Sequence, residues 1–462
     1  MGRGAAFFDL DRTVLGAASG PVLSEALRAA GVAPARGLPG QDLMYRAYGL
    51  IGETLPVMAL ARAAVLAMRG RARDHVRAAA EEAAADLDAL VAPWARLLIA
   101  EHREAGRLAV LATTTPADLI EPFARRLGFD DVIATRYRAE PTRGTDRYTG
   151  RLDGPFVWAG GKLAEVRRWA DRHGVDLEES WAYSDSVYDL PLLSAVGHPT
   201  AVNADARLAV VAAWRRWPQV HLDAPPGVPE VLGVEPLEVL RSVVRPEMFP
   251  YARFDIAGTE HLPASGGALV VANHRSYFDV VALGLTVMRG GRIPRAMAKK
   301  ELFDAPVIGW MARAFGQIMV DRDRGGGDAL GEARRALRAG EVVVVLPQGT
   351  IPRGRAFFDP VLQGRTGAAR LAAAVGVPVV PIGVWGSEAV WPRSSRLPDV
   401  RNVWHPPTVR VRVGPPVAGL GGDDAVTDTA RIMDAIAELL PEEARRPYEP
   451  TDEELARTLP PS

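Results

Sequence analysis

Short apolar runs that end in polar residues alternate with alanine-rich stretches of helical period along most of the 462 residues, which leaves few folds open. A strand whose following helix carries the chain back to the starting end pairs in parallel with the next strand, so the alternation predicts α/β domains with parallel sheets. In the first half the strand candidates are Ala5–Leu10, Leu108–Thr113 and Trp181–Ser184. In the second they are Ala268–Ala272, Glu341–Leu346, Val377–Ile382 and Thr408–Val413. The stretch from Val14 to Arg107 reads almost entirely as helix and, at roughly 95 residues, is too long for an ordinary crossover. It predicts a helical cap, over about residues 14–107, set on the edge of a sheet.

The segment Leu222–Pro236, LDAPPGVPEVLGVEP, is proline- and glycine-rich without periodicity and marks the domain boundary. The expected organisation is a first domain over 1–221, a linker over 222–236, a second α/β domain over 237–424, and a C-terminal helix and tail over 425–462. Leu237–Arg245 opens the second domain as a short amphipathic helix that Pro246 should end. Packing on its own domain is the ordinary use of such a helix, and lying on a membrane surface is the other.

Composition narrows the chemistry. The chain has no cysteine, which excludes disulfides, a thiolate nucleophile, iron–sulfur clusters and cysteine-bound zinc. Catalysis must therefore run on oxygen nucleophiles, imidazole or a hard metal ion. Only Lys162, Lys299 and Lys300 are lysines; the other 52 of the 55 basic residues are arginine. Those three mark places where a compact ammonium fits and a planar fork does not. Net charge is −4 over residues 1–240, +8 over 241–424 and −5 over 425–462, so the second domain suits an anionic partner such as phosphate, a membrane surface or an acidic carrier protein. Acidic residues interrupt the N-terminus before a signal-peptide core could form. Glu53, Pro56 and Arg62 break the longest apolar stretch, so a cytoplasmic chain without a spanning helix is expected. The basic residues lack aromatic interleaving, which speaks against a nucleic-acid partner.

Asp9 and Asp11 leave the first strand in the run DLDRT. Two aspartates at this spacing can both face the crevice where open α/β sheets bind ligands, although acidic pairs also cap helices. Thr113 closes the next strand, Lys162 follows Gly160 and Gly161, and Asp185 and Asp189 flank SDSVYD. In this order the pieces resemble the haloacid dehalogenase phosphatase family, in its phosphoserine-phosphatase-like branch with a helical cap, over residues 1–220. The resemblance implies a Rossmann-like parallel-sheet core with Asp9 as the nucleophile forming an aspartyl-phosphate and Asp11 as general acid/base. It further implies that Thr113 and Lys162 hold phosphate oxygens. Asp9, the Asp11 carbonyl and Asp185 would bind Mg²⁺, with Asp189 orienting the cluster. An all-oxygen shell suits magnesium, and a carboxylate nucleophile needs a cation beside it and the phosphate.

In the second half, NHRSYFD places His274 five residues before Asp279. An acceptor alcohol needs a base before it can attack a thioester, and an imidazole held by a carboxylate supplies one. A lone pair of this kind is a weak signal, because histidines also satisfy buried polar contacts. KKELF (Lys299–Phe303), GQIMVDR ending at Asp321 and Arg322, LPQGTIPRG from Leu346 to Gly354, and VPVVPIGVWG follow in order. The series resembles the 1-acylglycerol-3-phosphate acyltransferases of the glycerolphosphate acyltransferase superfamily over about Phe249–Pro416. The resemblance implies that His274 is the general base, that Asp279 orients it, and that Lys299 or Lys300, Arg322, Gln348, Gly349, Thr350 and Arg353 form the acceptor site. The family usually has glutamate where this chain has Gln348, and arginine where it has Ile351, with Arg353 two residues on. A neutral amide still forms hydrogen bonds but carries no charge.

The two halves together resemble bacterial two-domain proteins that fuse a phosphatase to an acyltransferase. The expected activity is acyl transfer from acyl-CoA or acyl carrier protein to lysophosphatidate, with phosphomonoester hydrolysis on a phosphorylated lipid or on a soluble substrate such as phosphoserine. Apolar cap residues Met44, Tyr45, Tyr48, Leu55 and Met58 could admit an acyl chain, or simply form cap core. A non-catalytic docking role for the first half would not need the complete aspartate set. A phospholipid or lysophospholipid substrate without a spanning helix implies peripheral attachment to the inner membrane face, through Leu237–Arg245 or a basic surface.

Overall fold

The computed structural model describes residues 3–33, 55–142, 144–223, 244–304, 312, 316–320, 327–421 and 424–460, apart from the side chains of 55–57, 60, 299, 301, 302, 327 and 328. Met44, Tyr45, Tyr48, Arg322, the side chains of Leu55 and Lys299, and most of 222–245 lie outside the described residues. The chain divides into two compact units, Met1–Pro226 and Gly227–Ser462.

The first unit is built on β1 (Ala5–Phe8), β2 (Leu108–Pro116), β3 (Asp131–Thr135), a hairpin of β4 (Tyr137–Thr142) and β5 (Thr145–Leu152), then β6 (Trp181–Ser184), β7 (His198–Val202) and β8 (Gln219–Val220). Six of these form one sheet in the order β3-β2-β1-β6-β7-β8, parallel throughout. Both faces are covered, so β1 reads as an unbroken apolar run, AAFF, with every residue buried. The chain builds outward from β1 first on one side and then on the other. That reversal opens a crevice at the carboxyl end of β1, where Asp9 follows.

The expected cap holds the helices Gly20–Ala29, Leu55–Ala67 and Arg73–Ala89, with Met58 buried, but its composition differs from the sequence reading at two points. The helix Pro93–Glu104 packs on β1 and β2 and belongs to the layer covering the sheet. The hairpin, which follows β3, joins the cap instead: Tyr148 and Gly70 and Arg71 exchange backbone hydrogen bonds, and the Arg147 Nη1 donates to the Gly70 carbonyl at 2.7 Å. Buried Asp118 locks the junction, accepting both Arg73 nitrogens at 2.9 Å and the Tyr148 hydroxyl at 2.9 Å while pairing with Arg77 at 3.1 Å.

The second unit carries β9 (Arg253–Ala257), β10 (Ala268–Ala272), β11 (Pro294–Lys299), β12 (Ile318–Val320), β13 (Val342–Val345), β14 (Val379–Trp385) and β15 (Thr408–Val413), in the order β12-β11-β13-β10-β14-β15-β9. The pairs from β12 to β14 are parallel; β15 runs antiparallel to β14. This departure from an all-parallel sheet follows from the connection. After β14 the chain makes only the short helix Ser387–Val390 and irregular backbone before β15, with no long helix to carry it back, so the next strand must return. The helix Ala425–Glu438 follows, then a segment ending in the helix Asp452–Arg457 that folds back: Thr458 Oγ1 accepts the Gly354 N–H at 2.8 Å, and the Arg457 carbonyl accepts the Ser394 N–H.

Candidate active sites

Three parallel strands and one helix deliver the first site. Asp9 follows β1, Thr113 lies in β2, Asp185 and Asp189 follow β6, and Lys162 opens the helix Gly160–His173. Lys162 is 1 % exposed; its Nζ donates to Asp9 Oδ1 at 2.8 Å and to Asp189 Oδ2 at 2.6 Å. Ser184 Oγ donates to the same Asp189 oxygen at 2.7 Å, and Asp189 Oδ1 is buried without a partner. Asp189 therefore holds the lysine in place beside Asp9. Thr113 is buried, with its Oγ1 accepting the Thr115 N–H at 3.1 Å. Asp11 Oδ1 accepts the Ser19 N–H at 2.6 Å, which fixes the turn after β1.

Two residues here escaped sequence reading. Arg12 holds φ +58°, a left-handed conformation unfavourable for a side chain, while its carbonyl accepts Asn203 Nδ2 and its Nε lies 3.6 Å from Asp185 Oδ2. Ala159 also holds a positive φ, +49°, just before the glycine pair. A Cβ on Gly161 would stand 2.4 Å from the Phe156 carbonyl oxygen, so this turn admits only glycine, and the next residue is Lys162. Non-glycine strain of this kind gathers where surrounding structure over-determines a functional turn.

The second site is assembled at the carboxyl ends of the adjacent strands β13, β10 and β14. His274 follows β10, Gln348 follows β13, and Ser387 and Glu388 follow β14. His274 Nδ1 lies 2.8 Å from Asp279 Oδ2, which also accepts the N–H groups of Arg275 at 2.6 Å and Ser276 at 2.9 Å. Ser387 Oγ donates to Asp279 Oδ1. The fully buried carboxylate of Asp279 thus gathers three donors besides its contact with the imidazole, and a ring whose Nδ1 donates to it turns Nε2 outward as an acceptor. Gln348 Oε1 accepts the backbone N–H of His274 at 2.6 Å. Gln348 thus positions the histidine loop, a role the sequence reading did not foresee. Arg275 pairs with Glu388 at 2.7 Å, with its guanidinium 4.2 Å from the Phe357 ring and 4.0 Å from the Trp385 ring.

Gly349, at φ +72°, and Thr350 follow Gln348 on the same turn, and Arg353 is exposed beyond it. Lys299 ends β11, whose carboxyl end lies on the same sheet edge, and exposed Lys300 begins the helix Lys300–Asp304.

A family model of haloacid dehalogenase-like hydrolases matches residues 6–194, and an acyltransferase model matches residues 253–385. The inhibition of morphological differentiation protein of Streptomyces azureus is 34% identical over 226 residues, 48% of this chain and 80% of that protein. The chain is a haloacid dehalogenase-like hydrolase joined to an acyltransferase. A phosphoserine phosphatase of Mycobacterium tuberculosis is 36% identical over 219 residues, 46% of this chain and 69% of its own length. The crystal structure of a 1-acyl-sn-glycerophosphate acyltransferase from Thermotoga maritima is 21% identical, covers 46% of this chain and 81% of that one, and has a TM-score of 0.33. The hydrolase unit is the one with the Asp9–Lys162–Asp189 chain, and the acyltransferase unit is the one with the His274–Asp279 pair.

Proposed function

We propose that the acyltransferase unit moves an acyl group from a thioester of coenzyme A or acyl carrier protein to the free hydroxyl of lysophosphatidate, giving phosphatidate. The observation that carries this reading is the 2.8 Å contact of His274 Nδ1 with buried Asp279. His274 Nε2 takes the acceptor's hydroxyl proton as the oxygen bonds to the thioester carbonyl carbon. As the C–S bond breaks, the imidazolium returns that proton to the departing thiolate, so no covalent enzyme intermediate forms.

The hydrolase unit cleaves a phosphomonoester. An Asp9 carboxylate oxygen bonds to phosphorus, the bond to the alkoxide breaks, and Asp11 protonates the alkoxide; water then releases phosphate with Asp11 as base. Lys162 neutralises charge beside the nucleophile. Among the described residues no three acidic or histidine side chains already close into a metal cluster, yet the donors are all oxygen and Asp189 Oδ1 is a buried orphan, which suits a hard cation. Asp9, the Asp11 carbonyl and Asp185 would hold Mg²⁺, and when bound it would neutralise phosphate oxygens. The phosphoserine phosphatase among the relatives favours a second substrate reading, a small soluble phosphomonoester in place of a lipid.

Incubation with lysophosphatidate, an acyl thioester and Mg²⁺, following lipid products and free phosphate together, tests both units. His274→Ala should abolish phosphatidate formation and leave phosphate release; Asp9→Asn should do the reverse. A fully active variant in either case removes that assignment, and phosphoserine run in parallel decides between the two hydrolase substrates.

Attachment is peripheral. No described helix is long and apolar enough to cross a membrane, and the acyltransferase unit exposes Leu397, Val400, Val403 and Trp404 (87 % exposed) within one segment beside Arg396 and Arg401. Trp404→Ala with Leu397→Ala should reduce co-sedimentation with anionic liposomes at low salt at least threefold; unchanged sedimentation rejects this surface.

A further inference from the structure

The apolar run VPVVPIGVWG builds β14 and ends at Gly386, one residue before Ser387. A Cβ on Gly386, at φ +87°, would stand 2.4 Å from the Thr408 carbonyl oxygen, so the chain leaves the sheet here by a turn that only glycine admits. The segment 384–391 around that turn meets the histidine loop residue by residue. Asn273 Nδ2 donates to the Val384 carbonyl and its Oδ1 accepts the Val384 N–H, both at 2.8 Å, which carries the β10–β14 ladder beyond the pair Ala272 and Ile382. Arg275 reaches the Trp385 ring and Glu388, and Ser276 Oγ donates to the Trp391 carbonyl at 2.6 Å. Ser387 reaches Asp279.

The two oxygens of Asp279 are held from different places. Oδ2 takes His274 Nδ1 and the N–H groups of Arg275 and Ser276, all of which belong to the loop that carries the imidazole. Bonds of that kind fix the carboxylate to the loop and not to the sheet. Among the described residues, Oδ1 takes the Ser387 hydroxyl, which comes from the end of the adjacent strand. Asp279 and Ser387 are both fully buried. A buried carboxylate oxygen deprived of its donor is costly, and the group turns to find another.

We infer that Ser387 is a positioning residue for acyl transfer: through Asp279 Oδ1 it fixes the plane of the carboxylate against β14, and so the direction in which His274 Nε2 faces the acceptor hydroxyl. Fully buried, it acts only through Asp279. When the imidazole takes the acceptor's proton, its positive charge faces Asp279 through Nδ1, and a carboxylate already held at both oxygens needs no reorganisation at that moment. This assignment rests on the proposed acyl transfer.

The test compares wild type, Ser387→Ala and Ser387→Thr in the full chain carrying Asp9→Asn, which prevents hydrolysis of the acceptor. With lysophosphatidate and an acyl thioester, Ser387→Ala should lose at least tenfold in kcat with both KM values within about twofold. Ser387→Thr, which keeps the hydroxyl, should recover part of the loss. Wild-type kcat in Ser387→Ala overturns the assignment, and so does a loss carried by either KM, since a positioning residue leaves binding alone. A second readout needs no substrate. With nitrogen-15-labelled histidine at about pH 8.5, above the ordinary titration of imidazole, the ring-nitrogen shifts of His274 are identified by their absence from His274→Gln. They should show the Nδ1-protonated tautomer alone in wild type and both tautomers in Ser387→Ala; the same tautomers in both proteins overturn the assignment. If wild type transfers no acyl group to lysophosphatidate, the proposed activity fails by itself and the tautomers alone decide about Ser387. Should Ser387→Ala not fold by circular dichroism, Ser387→Cys, a weaker donor of similar shape, takes its place in both measurements with the same outcomes.

Discussion

Gln348 shows how one side chain can depart from a family pattern without undoing the site. The donor it faces is the His274 N–H, and a backbone N–H asks only for an oxygen acceptor, which a primary amide offers as well as a carboxylate does. Gln348→Glu should therefore keep acyl transfer within about threefold. Gln348→Leu leaves the N–H without an acceptor, which costs about 1–3 kcal/mol, and should lower activity at least tenfold with a matching fall in thermal midpoint. Equal activity of the leucine variant would show that the hydrogen bond holds nothing. At this scale the sequence displays residue types in order, so Asp9, Lys162, Asp189, His274 and Asp279 could be singled out. It does not display partners. Gln348 and His274 are 74 positions apart, and Ser387 reads like any surface serine until its burial is seen.

The elements that were legible are those with an apolar pattern, unbroken as in β10 and β13 or alternating as in β15. All seven strand candidates exist as β1, β2, β6, β10, β13, β14 and β15, with ends shifted by a few residues. Several of the strands that were not legible lack such a pattern. The hairpin β4–β5 reads YRAEPT and TDRYTGRL, mostly exposed and polar, and is held by its pairing and by the cap; β9 is a sheet edge, and β11 carries an arginine that only tertiary partners satisfy. Turns carry as much of the site as strands do. The Ala159–Gly161 turn sets the helix that bears Lys162, and a methyl group on Gly161 would meet a carbonyl oxygen at 2.4 Å. Overpacking of this kind costs about 1–3 kcal/mol. Gly161→Ala should lower the hydrolase unit's melting temperature and reduce phosphate release at least tenfold, with acyl transfer unchanged; a phosphatase of wild-type rate would show that the turn tolerates the shift.

Each unit has its own apolar core and its own site, which makes a property of one unit separable from the other. His102 is such a property of the hydrolase unit. It is buried, accepts Arg107 Nε at 2.8 Å through Nδ1, and meets the Tyr183 hydroxyl at 2.8 Å through Nε2. Burial, and then the Arg107 charge, push its pKa down to about 4 from 6.5. The unfolded chain therefore binds the extra proton first, so this stabilisation is present above pH 6.5 and is lost as pH falls toward 4, roughly 3 kcal/mol in all. Calorimetry should show the hydrolase-unit transition losing stability over this window, and His102→Gln should flatten that slope while leaving the acyltransferase-unit transition where it was. An unaltered slope in the variant would assign the pH dependence to other groups. Because each set of reacting side chains comes from one side of the proline-rich boundary, a recombination event there could exchange or delete one half of the gene without interrupting the other's chemistry. The two reactions can thus be inherited, lost or re-paired as whole cassettes.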